Sequence, residues 1–487
     1  MKNKSVFIIT LSFLVSTLFF NSAYAGDIEW SGVYRIEGYH LSNTELERGK
    51  ELNYGLHHLV LRPKIVAGDG LTIFGQFDIL NQSGFANSQL GQLWGSGVGA
   101  ATPTSSDNSN TMSGHQKSDT LNVSLLYLTF SQEYGALIVG RAPLQFGLGM
   151  TYSAGRGLFD HWYDNRDMVG YKIIMGNLYF FPMLGKPSEG SIHRSDDITD
   201  YMIQVQYENP ESDLELGVFY QVRSGGDQGS DAPTGISSGQ NAGADLSDVL
   251  GGTGVGGGKG KVNMKTVNLY ALKDTETFRA GLEASFQSGE TGVLTGSDNV
   301  ALGGFGIAAE FAYRPADSRW NWGLKAGTAT GDDPGTPAKF EGYIFDRNYD
   351  VAMLMFNRPL GQMDFLRTGL LTGSVRDSNR DITAPDVEAI SNVVYAAPSV
   401  HYSLSERWSL ENTFVTGWLA QNPLSGGSDP GKSLGYEWDI SLHFIPRKGL
   451  QWTTQAGLLF PGEVWKANGA YENGFAYGLS TKAAISF

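Results

Sequence analysis

Charged side chains at every second position between apolar ones are the residues of this sequence with most chemistry in reach. In Thr277 to Gln287, Arg279 and Glu283 alternate with Phe278, Ala280, Leu282, Ala284 and Phe286. The same interleaving puts Arg35, Arg223, Glu310, Arg314, Lys325, Glu437 and Asp439 on the polar side of other segments. On an extended chain, side chains two apart share a face, so each segment has one polar and one apolar face. Charges facing a water-filled passage set which solutes cross it. Charges paired across neighbouring strands instead hold a wall rigid, and Arg279 with Glu283, or Glu310 with Arg314, suit either role. Where facing is clear, the polar faces carry six cations, Arg35, Arg223, Arg279, Arg314, Lys325 and Lys482, against eight anions. These are Glu29, Glu37, Glu208, Glu215, Glu283, Glu310, Glu437 and Asp439, so the expected lining is mixed. Arg141, Arg156 and Arg166 add a candidate basic cluster near one loop, although alternation does not fix their facing.

Other reactive residue types do not converge. There is no His-Glu-x-x-His and no Gly-x-Ser-x-Gly run. His57 and His58 are adjacent on a strand and point to opposite faces, so they share no metal. His161 reads as a solvated loop residue. Acidic groups at Asp332-Asp333, Asp164 to Asp167 and Asp377 to Asp381 offer oxygen ligands of the calcium type, but none has the spacing of a calcium loop. The Gly-rich run Gly254 to Gly258 lacks the preceding strand and following helix that a phosphate loop needs. The expectation is therefore no catalysis, no cofactor and no metal. A hydrolase whose catalytic set is assembled from distant strands is the enzyme alternative, and a structural or adhesive surface barrel is the other.

Composition restricts the class further. The chain has 487 residues, 64 Gly, 58 aromatics counted as Trp 10, Tyr 22 and Phe 26, only 17% charged residues and no Cys. Absence of Cys excludes disulfides, thiolate metal sites and Cys nucleophiles. A net charge of −15 argues against nucleic-acid binding. Lys2 and Lys4, the apolar stretch Ser5 to Phe20 and the small-x-small Ala23-Tyr24-Ala25 read as an export signal cleaved after Ala25. Residues 26–487 then form one domain outside the cytoplasm.

The elements that must carry the charges are strands of about ten residues, separated by short turns and long polar loops in alternation. Turns fall at 67–70, 209–212, 273–275, 315–317 and 446–449, and loops at about 82–119, 142–166, 185–198, 224–260, 330–349, 373–390 and 421–434. Trp30, Tyr34, Trp320, Trp408, Tyr436 and Trp452 stand at strand ends, where a membrane barrel keeps interfacial aromatics. The polar faces carry more charge than a dry sandwich core can bury. Hydrocarbon requires every backbone group to be paired, so the sheet must close. The expected fold is all-β, a transmembrane antiparallel up-and-down β-barrel. About 20 segments alternate, the weakest pair being 351–373, where Val351 to Phe356 is apolar throughout; without it the count is about 18. Alternation begins at about Ile28, so no separate plug domain is expected.

From about Leu137 onward the order of motifs resembles the bacterial alginate-export outer-membrane barrel family. The motifs are Gly140-Arg141-Ala142-Pro143-Leu144-Gln145-Phe146-Gly147, then Arg156, Phe159-Asp160, Thr330-Gly331-Asp332-Asp333-Pro334, Gly435 to Leu442, and Phe460-Pro461-Gly462. The resemblance implies an 18-stranded barrel whose lumen conducts a solute or polymer, with 351–373 an inserted hairpin or part of a loop. The family's named members move an anionic polyuronate through a basic lumen; the mixed lining here supports the conduit and not that cargo.

The expectation is a passive channel in the cell outer membrane for a hydrophilic solute or exported polysaccharide. Its lining candidates are Arg35, Arg223, Arg279, Glu283, Glu310, Arg314, Lys325, Glu437, Asp439, Arg141 and Arg156. Expected partners are membrane lipid, lipopolysaccharide and the barrel-assembly machinery, reached through the terminal Phe487, with no nucleic acid.

Overall fold

A computed structural model describes residues 27–44, 46, 51–79, 121–188, 198–225, 259–295, 298–336, 338–358, 360–361, 389–422 and 429–487. The export signal, most of the Gly-rich loop, Leu366 to Thr372 and Asp377 to Asp381 lie outside these residues.

The strands are β1 (Asp27–Ser42), β2 (Glu51–Gly68), β3 (Leu71–Ile79), β4 (Leu121–Gln132), β5 (Gly135–Pro143), β6 (Asn165–Met175), β7 (Leu178–Ser188), β8 (Ile198–Asn209), β9 (Leu214–Gly225) and β10 (Lys259–Asp274). There follow β11 (Phe278–Thr295), β12 (Asp298–Leu302), β13 (Phe305–Tyr313), β14 (Trp320–Ala329), β15 (Lys339–Phe340), β16 (Val393–Ser403), β17 (Trp408–Leu419), β18 (Ser433–Arg447), β19 (Leu450–Pro461) and β20 (Ala476–Ser486). Each wall strand pairs antiparallel with its neighbour in the chain, and β1 pairs β20, so the sheet closes. The short β12 and β15 pair with one another in parallel outside that ring, leaving a wall of 18 strands. At the seam, Gly32 and Phe487 exchange backbone hydrogen bonds of 2.9 and 3.1 Å. Closure satisfies the edge groups that an open sheet would expose.

Period-two alternation fixes the two faces. On β11, Leu282 and Phe286 are exposed outward while Glu283 and Ser285 are fully buried inward. Tyr201, Leu216, Val218, Tyr220, Phe311, Trp322, Leu324 and Trp438 are likewise exposed on the outer face. Trp30, Trp320, Trp408 and Trp452 gather toward the short-turn end. At the long-loop end, Phe414, Tyr436, Phe460, Phe475 and Tyr477 form a row with ring centroids 4.9–6.2 Å apart. Of the pair 351–373, Val351 to Phe356 is not part of the wall: it lies inside the barrel, all six residues buried.

Candidate functional site in the barrel lumen

Two loops on the long-loop side turn inward and occupy the lumen. The first runs from β5 to β6. Its Leu144, Phe146 and Tyr152 pack on inner-face residues Met168, Phe181, Met183, Met202, Phe219, Tyr270 and Leu272. Apolar side chains therefore sit on both the loop and the wall, and their burial holds the segment inward. Glu283 fixes its tip. Its carboxylate accepts the backbone N–H groups of Leu148 at 2.7 Å, Met150 at 3.1 Å and Thr151 at 3.1 Å. Gly147, at φ +52°, lies against that carboxylate, and a Cβ there would be 2.7 Å from Glu283 Oε2. Only glycine meets both demands without strain.

The second inward loop lies between β14 and β16. The run Val351 to Phe356 is apolar because it is packed on both sides, among inner-face residues including Val393, Tyr395, Ala397, Val415, Leu459 and Ala476. Two wall carboxylates on β18 fix its backbone. Glu437 accepts the N–H groups of Leu354 at 2.7 Å and Met355 at 2.6 Å, and Asp439 accepts that of Met353 at 2.9 Å. Such charge-assisted bonds are stronger than neutral ones.

The two loops also hold each other. Asp346 N–H donates to Met150 O at 2.7 Å, Trp162 N–H to Asn348 Oδ1 at 3.2 Å, and Asn348 Nδ2 to Trp162 O at 2.9 Å. Thr151 Oγ1 and Tyr343 OH are 2.9 Å apart. Arg347 lies over the Trp162 ring at 4.9 Å.

A polar network ties the first loop to β1–β4. Arg35 donates to Asp160 O at 2.6 Å and Leu158 O at 3.2 Å, and pairs Glu37 at 3.0 Å. His161 contacts both Arg35 and Glu37 and is buried, which corrects its reading as a solvated loop residue. Beside it, Asp78 accepts from Tyr163 OH at 2.8 Å, contacts His58 Nε2 at 2.8 Å and also accepts from Ser124. Arg223 grips Asp200 through two bonds of 2.8 and 2.9 Å, and Arg166 Nε lies 3.3 Å from the same carboxylate.

The expected lining residues thus divide into three groups. Arg35, Arg223, Glu283, Glu437 and Asp439 face the lumen but are buried against the protein's own loops or partners. Arg279, Glu310, Arg314 and Lys325 remain partly open, with side chains 34%, 20%, 42% and 43% exposed, toward the short-turn end. They form a cross-strand ladder: Arg279 to Glu310 at 3.9 Å, Lys325 to Glu310 at 3.7 Å, and both Arg279 and Arg314 on Asp274 at 3.3 and 3.4 Å. Arg156 is exposed. Arg141 stands on the outer face, bonded through 2.7 and 2.8 Å to Asp167 directly opposite on β6. Its neighbour Ala142 takes the inward position, so alternation turns Arg141 out. Arg141, Arg156 and Arg166 therefore form no cluster. The run 164–167 likewise diverges, with Asp164 buried, Arg166 inward and Asp167 outward, so it makes no calcium loop.

Several motifs behind the family resemblance lie where loops leave the wall. Gly147 meets Glu283, Asp332 Oδ1 accepts Glu341 N–H at 3.0 Å, and Gly462 N–H donates to Leu434 O at 2.9 Å. A barrel narrowed by inward loops is expected from the sequence, but not which segments turn inward; the unbroken apolar run Val351 to Phe356 is the signal for the second of them.

The chain is thus a closed 18-strand antiparallel β-barrel with a charged lumen narrowed by inward loops. No protein-family model and no curated protein sequence matches the chain. Among solved structures it is similar to Pseudomonas aeruginosa OccK9 (OpdG), at 10% identity and a TM-score of 0.50 over 95% of this chain and 99% of that one. It is also similar to P. aeruginosa OccK2 (OpdF), solved with glucuronate, at 9% identity and TM-score 0.48 over 96% and 100%. A BenF-like porin from Pseudomonas fluorescens Pf-5 follows at 10% identity and TM-score 0.47 over 95% and 98%. These likenesses concern the fold and lend no support to membership of the alginate-export family.

Proposed function

We propose that this protein is a passive outer-membrane channel for a hydrophilic solute, catalysing no reaction. The observation that carries the reading is the division of the closed wall, with exposed apolar and aromatic side chains on the outside and the charged ladder of Arg279, Glu310, Lys325 and Asp274 inside. An apolar band with aromatic ends suits lipid, and the polar interior suits water. The inward loops narrow the passage, and the charges left open to it set selectivity. A saccharide is the solute class the mixed lining suits; the motif order that resembles alginate-export barrels makes an exported polysaccharide the second solute to test. Export by a leader cleaved after Ala25, assembly through Phe487 and contact with lipopolysaccharide belong to the same reading.

Single-channel recording in a planar bilayer, with reversal potentials and block by candidate saccharides, tests it. Discrete conductance steps support the channel. The packing of both loops against the wall favours one other reading, a sealed structural barrel, and absence of conductance would establish that instead.

A further inference from the structure

The outer face of β5 to β10 changes character near the long loops. Toward the short turns, Val139, Val169, Leu184, Tyr201 and Val222 stand opposite one another from strand to strand. Val169, Leu184 and Tyr201 are exposed, and an outward apolar row suits acyl chains. One outward position nearer the long loops, the row is polar. Arg141 stands opposite Asp167 and Asp167 opposite Lys186, each two residues from the strand end that meets a long loop. On the following strands Thr199 stands opposite Ser224 and Ser224 opposite Asn263. The adjacent Asp200 and Arg223 pair inside the barrel, so alternation turns Thr199 and Ser224 outward. Lys261 and Lys265 flank Asn263 on the same face of β10, and all three are exposed.

Charge on this stretch runs against the rest of the protein. The cations Arg141, Lys186, Lys261 and Lys265 outnumber Asp167 and Glu290, the latter opposite Asn263 on β11, although the chain as a whole carries −15. Arg141 also keeps donors in reserve. A guanidinium has five N–H donors, and the bonds to Asp167 use only Nε and Nη2. Among the described residues Nη1 has no protein acceptor. Long cationic side chains bordering a lipid-facing apolar row carry their charge to the level of the headgroups. By strand spacing, Arg141 on β5 and Lys186 on β7 are about 10 Å apart, and β10 lies about 14 Å beyond Lys186. Cations therefore stand at both ends of a row whose middle carries hydroxyl groups. On β17 to β20 the same end of the wall carries the aromatic row instead.

We propose that the outer rim of β5 to β10 binds a phosphorylated glycolipid of the outer leaflet. Arg141 with Lys186 holds one phosphate, and Lys261 with Lys265 holds another. The hydroxyls of Thr199 and Ser224 meet the sugar between them, and the row through Val169, Leu184 and Tyr201 receives the acyl chains. Asp167 keeps the Arg141 guanidinium in one plane through its two bonds. The site rests on the outer-membrane reading above, which puts the long loops outermost. It does not depend on whether the barrel conducts.

The test uses the full chain folded in detergent micelles and titrated with diphosphorylated lipid A, with dephosphorylated lipid A and with phosphatidylglycerol, the bound lipid being counted by native mass spectrometry. Diphosphorylated lipid A is expected to bind at least ~10-fold more tightly than either of the others, and less tightly as salt rises. The variant R141Q/K186Q/K261Q/K265Q should lose that preference and keep the weak binding of the dephosphorylated lipid. K261Q/K265Q leaves the Arg141–Asp167 pair intact and should lose part of it, which keeps the test open if the fourfold variant does not fold. Equal binding of the two forms of lipid A, or full preference in a folded variant, would overturn the site. Phosphatidylglycerol binding as tightly as diphosphorylated lipid A would overturn the glycolipid assignment. Bilayer recording on the same preparations separates the two readings. Current without phosphate-dependent binding removes the site and keeps the channel; phosphate-dependent binding without current removes the channel and keeps the site.

Discussion

Glu437 reaches from the inner wall to Leu354, whose backbone N–H donates to its carboxylate at 2.7 Å across 83 residues of sequence. The same carboxylate takes the N–H of Met355, so a wall charge is spent on the backbone of an inward loop. Glu283 does the same for the other loop. Charges on the polar face of a barrel strand therefore serve two ends here, anchoring chain and facing water, and experiment can separate them.

Replacing the anchor should free its loop. Glu437→Ala leaves two buried N–H donors without their acceptor, at about 1–3 kcal/mol each if they stay buried. The expected outcome is loss of exchange protection across 351–356 and a larger single-channel conductance, with wall peptides still protected. Unchanged exchange in 351–356 would show that packing alone holds the segment.

The ladder toward the short-turn end should control selectivity. Arg279 and Arg314 are partly exposed and share Asp274. Their joint replacement by Glu should move reversal potentials toward cation preference. Pairs this exposed contribute about 0–1 kcal/mol each, so the barrel should still fold. Unaltered reversal potentials in a salt gradient would remove both residues from the conducting path.

Arg141 provides the contrasting case. It pairs Asp167 on the outside of the wall, and both side chains are about half exposed. Arg141→Ala should leave reversal potentials unchanged and shift stability in denaturant by no more than about 1 kcal/mol. A selectivity change equal to that of the ladder variants would place Arg141 in the passage.

Leu282 tests the outer face. It is 48% exposed beside the inward Glu283 on β11. Leu282→Arg should cost roughly 2–4 kcal/mol of folding free energy in vesicles if the position lies near the bilayer midplane. Equilibrium folding against urea in lipid measures it, and a neutral result would deny that this face meets hydrocarbon.

The wall was legible in the sequence because its physics is local. Alternation in 277–287 is enough to send Leu282 out and Glu283 in, and turns such as 273–275 fix the hairpins. The use made of an inward charge was not legible. Glu283 and Glu310 follow the same pattern, yet one is sealed under Leu148 to Thr151 while the other stays partly open. That difference depends on a loop 132 residues away, for which periodicity carries no signal. Arg141 shows a related limit. It lies in a short strand of weak alternation, where only the packing of Ala142 against the inner cluster reveals the facing.

Both inward loops are spliced into the wall at each end, the first to β5 and β6, the second to β14 and β16. Each is thus captive: it can be displaced but never lost, and its anchors stay at high effective concentration for its return. A loop displaced in such an arrangement returns to its own anchors without help from a second chain.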